Sequence, residues 1–223
     1  MTSSCPLVEN INKKSPKYGH DLTPKQLHEG RMANLYGLAN LSKALNITLI
    51  AMHGTLLGWS FNQKMLPWDE DVDVVFRHDD HAKLHNFSAT RPWLGPSTRL
   101  RELVGPHNHI EFRVVDDATG VYTDMTSLRK TADPKVLGAN TISRPHKMTP
   151  PLYAMKASYY NLWGAHLYQP EDIDPAVPCR INNVGLHCPR NAHKVLVQEY
   201  PMYKSHSYKH WKYDMHTKCW TGK

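Results

Sequence analysis

The chain has 223 residues, 40% hydrophobic and 21% charged, a balance that fits one medium folded domain and excludes a chain disordered throughout. Lys and Arg number 27 against 20 Asp and Glu, and 15 histidines add cationic capacity; the net charge of +7 suits an anionic partner (a phosphate-bearing small molecule, RNA or an acidic glycan) as well as plain surface solubility. No apolar run of about 18 residues occurs and the start resembles no signal peptide, so the expectation is a cytoplasmic protein without a membrane partner.

Residues 1–22 are polar, without a clear period, and read as an N-terminal arm. Thr23, Pro24 and Gln26 form a capping-box start, and Leu27, Leu35, Leu38, Leu41 and Leu45 recur at helical spacing, which predicts a helix over about 24–45 closed by Asn46. Ile47–Met52 is a short apolar run that predicts a buried strand. It leads through His53-Gly54-Thr55 into a helix, a strand, glycine turn, helix unit. Asp71–Phe76 alternates acidic and apolar residues as a strand does. A helix is expected from near Asp79, then paired strands Ile110–Val115 and Val121–Met125 around the turn-rich 116–120. Residues 126–152 read as loop, Tyr153–Trp163 as helical, and 190–200 as a last helix. The sum is an α/β (α+β) fold, a mixed sheet flanked by helices, with its domain over 23–202 and a basic aromatic tail over 203–223.

Alternation places Asp71 and Asp73 on one face of their strand, about 6–7 Å apart at the backbone, a spacing that suits hard divalent cations. Asp69, Glu70, Asp71 and Asp73 also fit a solvated acidic edge. Against that reading, Val72, Val74, Val75 and Phe76 demand a buried strand face, which brings the like charges close to protein where a cation must offset them. Mg²⁺ or Mn²⁺ is the implied cofactor, with a nucleotide phosphate completing its shell. Gly54 and Thr55 at a helix start suit phosphate, although such turns alone are weak signals.

The stretches His53-Gly54-Thr55-Leu56-Leu57-Gly58 and Leu66-Pro67-Trp68-Asp69-Glu70-Asp71-Val72-Asp73-Val74 resemble the signature of the LicD, fukutin and fukutin-related-protein family of nucleotidyltransferase-fold enzymes. The resemblance implies a nucleotidyltransferase-type mixed sheet, a phosphate-binding turn at Gly54 and Thr55, and metal ligation and catalysis by Asp71 and Asp73, with Asp124 as the third strand-borne carboxylate. It further implies transfer of a phosphorylated alcohol or sugar (phosphocholine, ribitol phosphate or mannosyl phosphate) from a nucleotide-linked donor to an acceptor. Arg113, on the neighbouring strand, and Lys64, in the loop before the acids, are candidate donor-phosphate contacts, with His53 a further polar group beside the turn. The segment Trp59–Lys64 departs from the glycine-rich turn of bacterial choline-phosphate members and leaves the donor open.

Cys5, Cys179, Cys188 and Cys219 are too few and too scattered for a disulfide scaffold, and the set Cys179, His187, Cys188 and His193 matches no standard zinc spacing, so reduced thiols are expected. The sequons at Asn40, Asn46 and Asn86 are then idle. His81 and His85 stand four apart without a third ligand and read as a solvated helix face. In the tail, lysines interleave with Tyr208, Trp211, Tyr213 and Trp220, which fits either base stacking on RNA or aromatics docked on the core. Two other readings therefore stand beside the donor-dependent transferase: an RNA-directed, for example tRNA-dependent, transferase and a non-catalytic binding module.

Overall fold

A computed structural model describes residue 5 and residues 21–90, 92–104, 110–132, 140–143, 151–159, 162–201, 207–208 and 211–222. The chain runs α1 (Pro24–Leu45), β1 (Ile50–Ala51), α2 (His53–Asn62), β2 (Val72–Arg77), α3 (His81–Ala89), β3 (Thr98–Glu102), β4 (Phe112–Asp116), β5 (Tyr122–Thr131) and β6 (Asn140–Ser143). It continues with β7 (Leu152–Tyr159), β8 (Leu162–Tyr168), α4 (Pro170–Ile173), β9 (Val177–Ile181), β10 (Val184–Cys188), α5 (Ala192–Glu199), β11 (Ser207–Tyr208), β12 (Trp211–Asp214) and β13 (Cys219–Gly222).

The predicted start of α1 is built as the sequence demands. The Thr23 hydroxyl accepts from the Gln26 amide while the Gln26 side chain accepts from the Thr23 amide, and Asn46 ends the helix in the left-handed region. Its buried face carries Leu27, Leu35, Leu38 and Leu41 onto the sheet. Gly30 permits the closest approach: a Cβ there would lie 2.4 Å from the Thr119 hydroxyl and 2.8 Å from Val121.

The main sheet has the order β6-β8-β7-β5-β2-β1-β10-β9, with β4 on the outer edge of β5 and β3 beyond it. Parallel pairs (β1 with β10, β2 with β5, β6 with β8) sit among antiparallel ones, so the sheet is mixed, as expected. Its core joins Leu35, Leu38, Leu49, Met52, Val74, Phe76, Phe112 and Met125, all essentially without solvent contact.

Three expectations are corrected. Residues 126–131 are not loop: β5 runs on beyond its pairing with β2, which ends at Leu128, and its last three residues, Arg129–Thr131, pair with β7. Tyr153–Trp163 is not helical but supplies β7 and the start of β8, an antiparallel pair that extends the sheet; Leu152 and Ala154 bury one face of it. The open edge of β5 decides this, since cross-strand pairing outweighs the modest helix preference of Ala, Met and Lys. The thiols are not free either. Cys5 pairs with Cys219 and Cys179 with Cys188, which also removes the two sulfurs of the unconventional zinc set.

The tail is structured where it is described. β11, β12 and β13 form a separate antiparallel sheet whose Tyr213 and Trp220 are buried against the core, with Lys212 and Lys218 exposed. No described helix is long and apolar enough to cross a membrane.

Candidate active site

Strand register assembles the site. In the parallel β2–β5 pair Asp73 stands directly opposite Asp124, and in the antiparallel β4–β5 pair Asp124 stands opposite Arg113. Cross-strand neighbours share a face, so carboxylate, carboxylate and guanidinium form one row over three strands. Asp71, just before β2, joins them. One carboxylate oxygen each from Asp71, Asp73 and Asp124 lies within 4.8 Å of the others. The Arg113 Nε donates to Asp124 Oδ1 at 2.7 Å while its guanidinium lies over the Tyr122 ring, 3.8 Å from the centroid.

The chain enters this row from β1. The Met52 amide donates to the Asp73 carbonyl at 3.1 Å, so the next residues, His53-Gly54-Thr55, open α2 alongside the acids. The Thr55 hydroxyl is buried and accepts from the Asp73 amide at 2.8 Å, which fixes the backbone that aims the Asp73 carboxylate. Gly54 lines the acidic cavity directly. A Cβ on Gly54 would lie 2.2 Å from the Asp69 carboxylate, so the position admits no side chain while that carboxylate stays in place. From the other side, Arg31 of α1, itself buried, donates through Nη1 to the carbonyls of Leu66 (2.9 Å) and Asp69 (2.5 Å) and pins the loop that presents the acids.

Gly54→Ala should therefore displace the Asp69 carboxylate or the start of α2. The expected loss is about 1–3 kcal/mol, as for overpacking elsewhere, read as a lower urea midpoint. Removing the carboxylate as well, in Gly54→Ala/Asp69→Ala, should recover part of that loss, because the two changes act on one contact. Equal loss in single and double variants would separate Gly54 from Asp69.

The cavity over these residues measures about 340 Å³, with Trp68 and Tyr200 on its walls beside the acids. Trp68 also stacks within the tail's aromatic cluster, its ring centroid 5.2 Å from that of Trp211 and 4.8 Å from that of Trp220. Lys64 sits elsewhere: its Nζ lies 3.6 Å from the Cys5 sulfur, and it does not line the acidic cavity.

The electrostatics are those of a crowded carboxylate cluster. Burial, then the neighbouring Asp71, hold the Asp73 carboxyl well above the usual carboxylate range; Asp69 and Asp124 add to this and His53 opposes it. His53 answers with the opposite charge. Its Nδ1 lies 3.0 Å from Glu199 Oε2, and although burial disfavours a charged ring, the Glu199 charge and hydrogen bond, with Asp73 and Asp71, push it up to about 9. Glu199 is kept below its ordinary value because that same pairing outweighs its burial, and its other oxygen accepts from the Tyr168 hydroxyl. His166, ring centroid 5.3 Å from that of His53, is pushed down to about 4 by burial and then by the His53 charge.

Three hard oxygen donors converge here, and burial penalises the charge of Asp73 among them, an arrangement that fits a divalent cation such as Mg²⁺ or Mn²⁺. Of the sequence-derived candidates, Asp71, Asp73, Asp124, His53, Gly54 and Arg113 come together here, Thr55 supports them from below, and Lys64 stands apart. Asp69, Arg31, Glu199, Tyr168 and Tyr200 were not marked by the sequence. Only Asp69 carried a local signal, as part of the acidic run.

A search of curated proteins finds no match. Among solved structures, the crystal structure of ANT(2″)-Ia in complex with adenylyl-2″-tobramycin aligns over 82% of this chain and 78% of that one, at 11% identity and a TM-score of 0.41. The model of the LicD/FKTN/FKRP nucleotidyltransferase domain matches residues 46–191, from the turn before β1 to the threshold of α5 and across every carboxylate of the row. That span is well over half of the sequence, and the chain belongs to the LicD/FKTN/FKRP family and carries its nucleotidyltransferase domain.

Proposed function

We propose that the protein is a transferase that moves a phosphorylated alcohol or sugar (phosphocholine, ribitol phosphate or mannosyl phosphate in kind) from a nucleotide-linked donor to an acceptor. The observation that carries this reading is the row Asp73–Asp124–Arg113 with Asp71 beside it. Asp71, Asp73 and Asp124 would hold Mg²⁺ or Mn²⁺, which when bound supplies charge neutralisation to a phosphoryl oxygen. Arg113 provides a fixed guanidinium at the edge of the cluster for a phosphate oxygen, and Gly54 opens the wall of the cavity at the start of α2. Thr55 acts at one remove, by fixing the Asp73 backbone.

The test is binding of CDP-, GDP- and UDP-linked donors, with and without Mn²⁺, followed by thermal shift. One nucleotide class should raise the melting temperature in the presence of Mn²⁺ and do so weakly in its absence. No stabilisation by any of them, with Mn²⁺ bound, would remove the donor from the reading. The RNA-directed alternative is not carried forward, because Trp211, Tyr213 and Trp220 pack with Trp68 and Phe61 and do not form a free stacking platform.

The sulfur chemistry bears on the compartment. Two disulfides persist where thiols are oxidised and are rare in the cytosol, so the pairing favours an oxidising compartment over the cytoplasmic placement expected from the sequence. There Asn46, exposed at the end of α1, becomes a usable glycan acceptor.

A further inference from the structure

The buried acid Glu199 has no part in the metal row, yet three distant segments converge on it. α2 brings His53, whose Nδ1 lies 3.0 Å from Glu199 Oε2; β8 brings Tyr168, which donates to Glu199 Oε1; α5 ends on Glu199 itself, whose side chain is 2% exposed. His53 is not buried to the same degree. It lines the acidic cavity, and its Nε2 has no hydrogen-bond partner among the described residues.

Two unfavourable terms are concentrated here. Burying an ion pair carries a desolvation penalty that mutual attraction only partly returns. His53 is also a non-glycine residue with φ 49, a left-handed backbone at the first position of a helix, which costs on the order of 1–3 kcal/mol and is held only where the surroundings over-determine it. An ion pair serving stability alone has no need of a strained backbone on one partner, nor of a ring edge open to a cavity. Both features are accounted for if the ring must face the cavity at a fixed angle.

The cavity's own charge says what would meet that ring. Asp69, Glu70, Asp71 and Asp73 line it, and such a wall repels an incoming diphosphate except where a cation stands. Arg113, hydrogen-bonded to Asp124, is the cation at the β4 end of the carboxylate row; His53, at the start of α2, is the cation that lines the cavity itself.

We propose that Glu199 and Tyr168 are positioning residues that hold the His53 imidazole as a fixed cationic donor, Nε2 outward, for the diphosphate of the nucleotide-linked substrate. This rests on the donor-dependent reading above. Glu199 sets ring orientation and charge through Nδ1, Tyr168 holds the Glu199 carboxylate in the geometry that reaches Nδ1, and His53 makes the contact.

Calorimetric titration of the full chain tests it with two probes, Mn²⁺ alone and then inorganic pyrophosphate in the presence of Mn²⁺. Glu199→Gln and His53→Gln should each keep or raise Mn²⁺ affinity, because they weaken a positive charge beside the carboxylate row, and weaken pyrophosphate about 10- to 100-fold, the range of one charge-assisted hydrogen bond. Tyr168→Phe should give a smaller loss of the same kind, and the His53→Gln/Glu199→Gln pair should be no worse than either single change, because both remove one contact. If Glu199→Gln fails to fold, His53→Gln and Tyr168→Phe carry the same comparison. Pyrophosphate affinity unchanged in these variants, or Mn²⁺ and pyrophosphate affinity falling together, would overturn the positioning role and leave the transferase reading standing. A wild-type chain that binds neither probe would overturn the donor-dependent reading itself, and this proposal with it.

Discussion

Asp73→Asn is expected to stabilise the metal-free protein while abolishing its response to divalent ions and its transferase activity. Burial and the adjacent Asp71 hold the Asp73 carboxyl above its ordinary range. A carboxyl whose folded-state pKa is raised binds its proton more tightly folded than unfolded. At neutral pH it therefore subtracts from stability, and the deficit shrinks as pH falls through the raised value towards the ordinary carboxylate range. Asparagine has nearly the same shape and no charge, and the Thr55 contact to the Asp73 position survives because it uses the backbone amide. The variant should gain about 1 kcal/mol or more at pH 7 in EDTA, and its stability should be flatter with pH than wild type over the acidic limb. Mn²⁺ should raise the melting temperature of wild type and not of the variant, and activity should fall about 10²–10⁴-fold, as when a main electrostatic group is removed. A variant less stable than wild type in EDTA, with an undiminished Mn²⁺ shift, would remove Asp73 from the site.

Much of this arrangement was legible before any coordinates, and the boundary of legibility has a physical cause. The capping box at Thr23 and the strand of alternating acids at Asp71–Phe76 are local patterns, decided within a few residues, and they stand as read to within a residue, whereas the glycine turn expected at Gly54 is absent, because α2 already starts at His53 and Gly54 lies in its first turn. The helix expected at Tyr153–Trp163 failed because its fate depends on a partner about 25 residues earlier, the free edge of β5. Thr55 shows a subtler limit. Its residue type suits phosphate, but the end of β1 beside β2 places its hydroxyl under the Asp73 amide, and nothing in the local sequence distinguishes the two roles. Glu199 lies 146 residues from His53, so no spacing could join them. The cysteines misled for the same reason: a separation of 214 residues looks like scatter until the tail folds back.

That clasp governs the second large effect. Cys219→Ser, or reduction of the wild-type protein, is expected to lower stability by about 2–5 kcal/mol, read as a drop of about 5–15 °C in melting temperature for a chain of this size. The Cys5–Cys219 bridge closes nearly the whole chain and so removes a large share of unfolded-state freedom. Cys179 and Cys188 are nine residues apart on the two strands of one hairpin, β9 with β10, whose ladder already brings them near, so Cys179→Ser/Cys188→Ser should be the milder change. The consequence reaches the site through a short path. Cys219 begins β13, Trp220 follows it, and the Trp220 ring packs edge-on against Trp68, which lines the acidic cavity. Loosening the tail should therefore weaken binding of the nucleotide-linked donor several-fold, while Mn²⁺ affinity, set by β2 and β5, stays close to wild type. Urea unfolding with and without reductant, paired with the two titrations, separates these effects. Identical unfolding of oxidised, reduced and Cys219→Ser protein would show that the tail needs no covalent anchor; in that case the wall behind Trp68 is held by the aromatic cluster of Phe61, Trp211, Tyr213 and Trp220 alone.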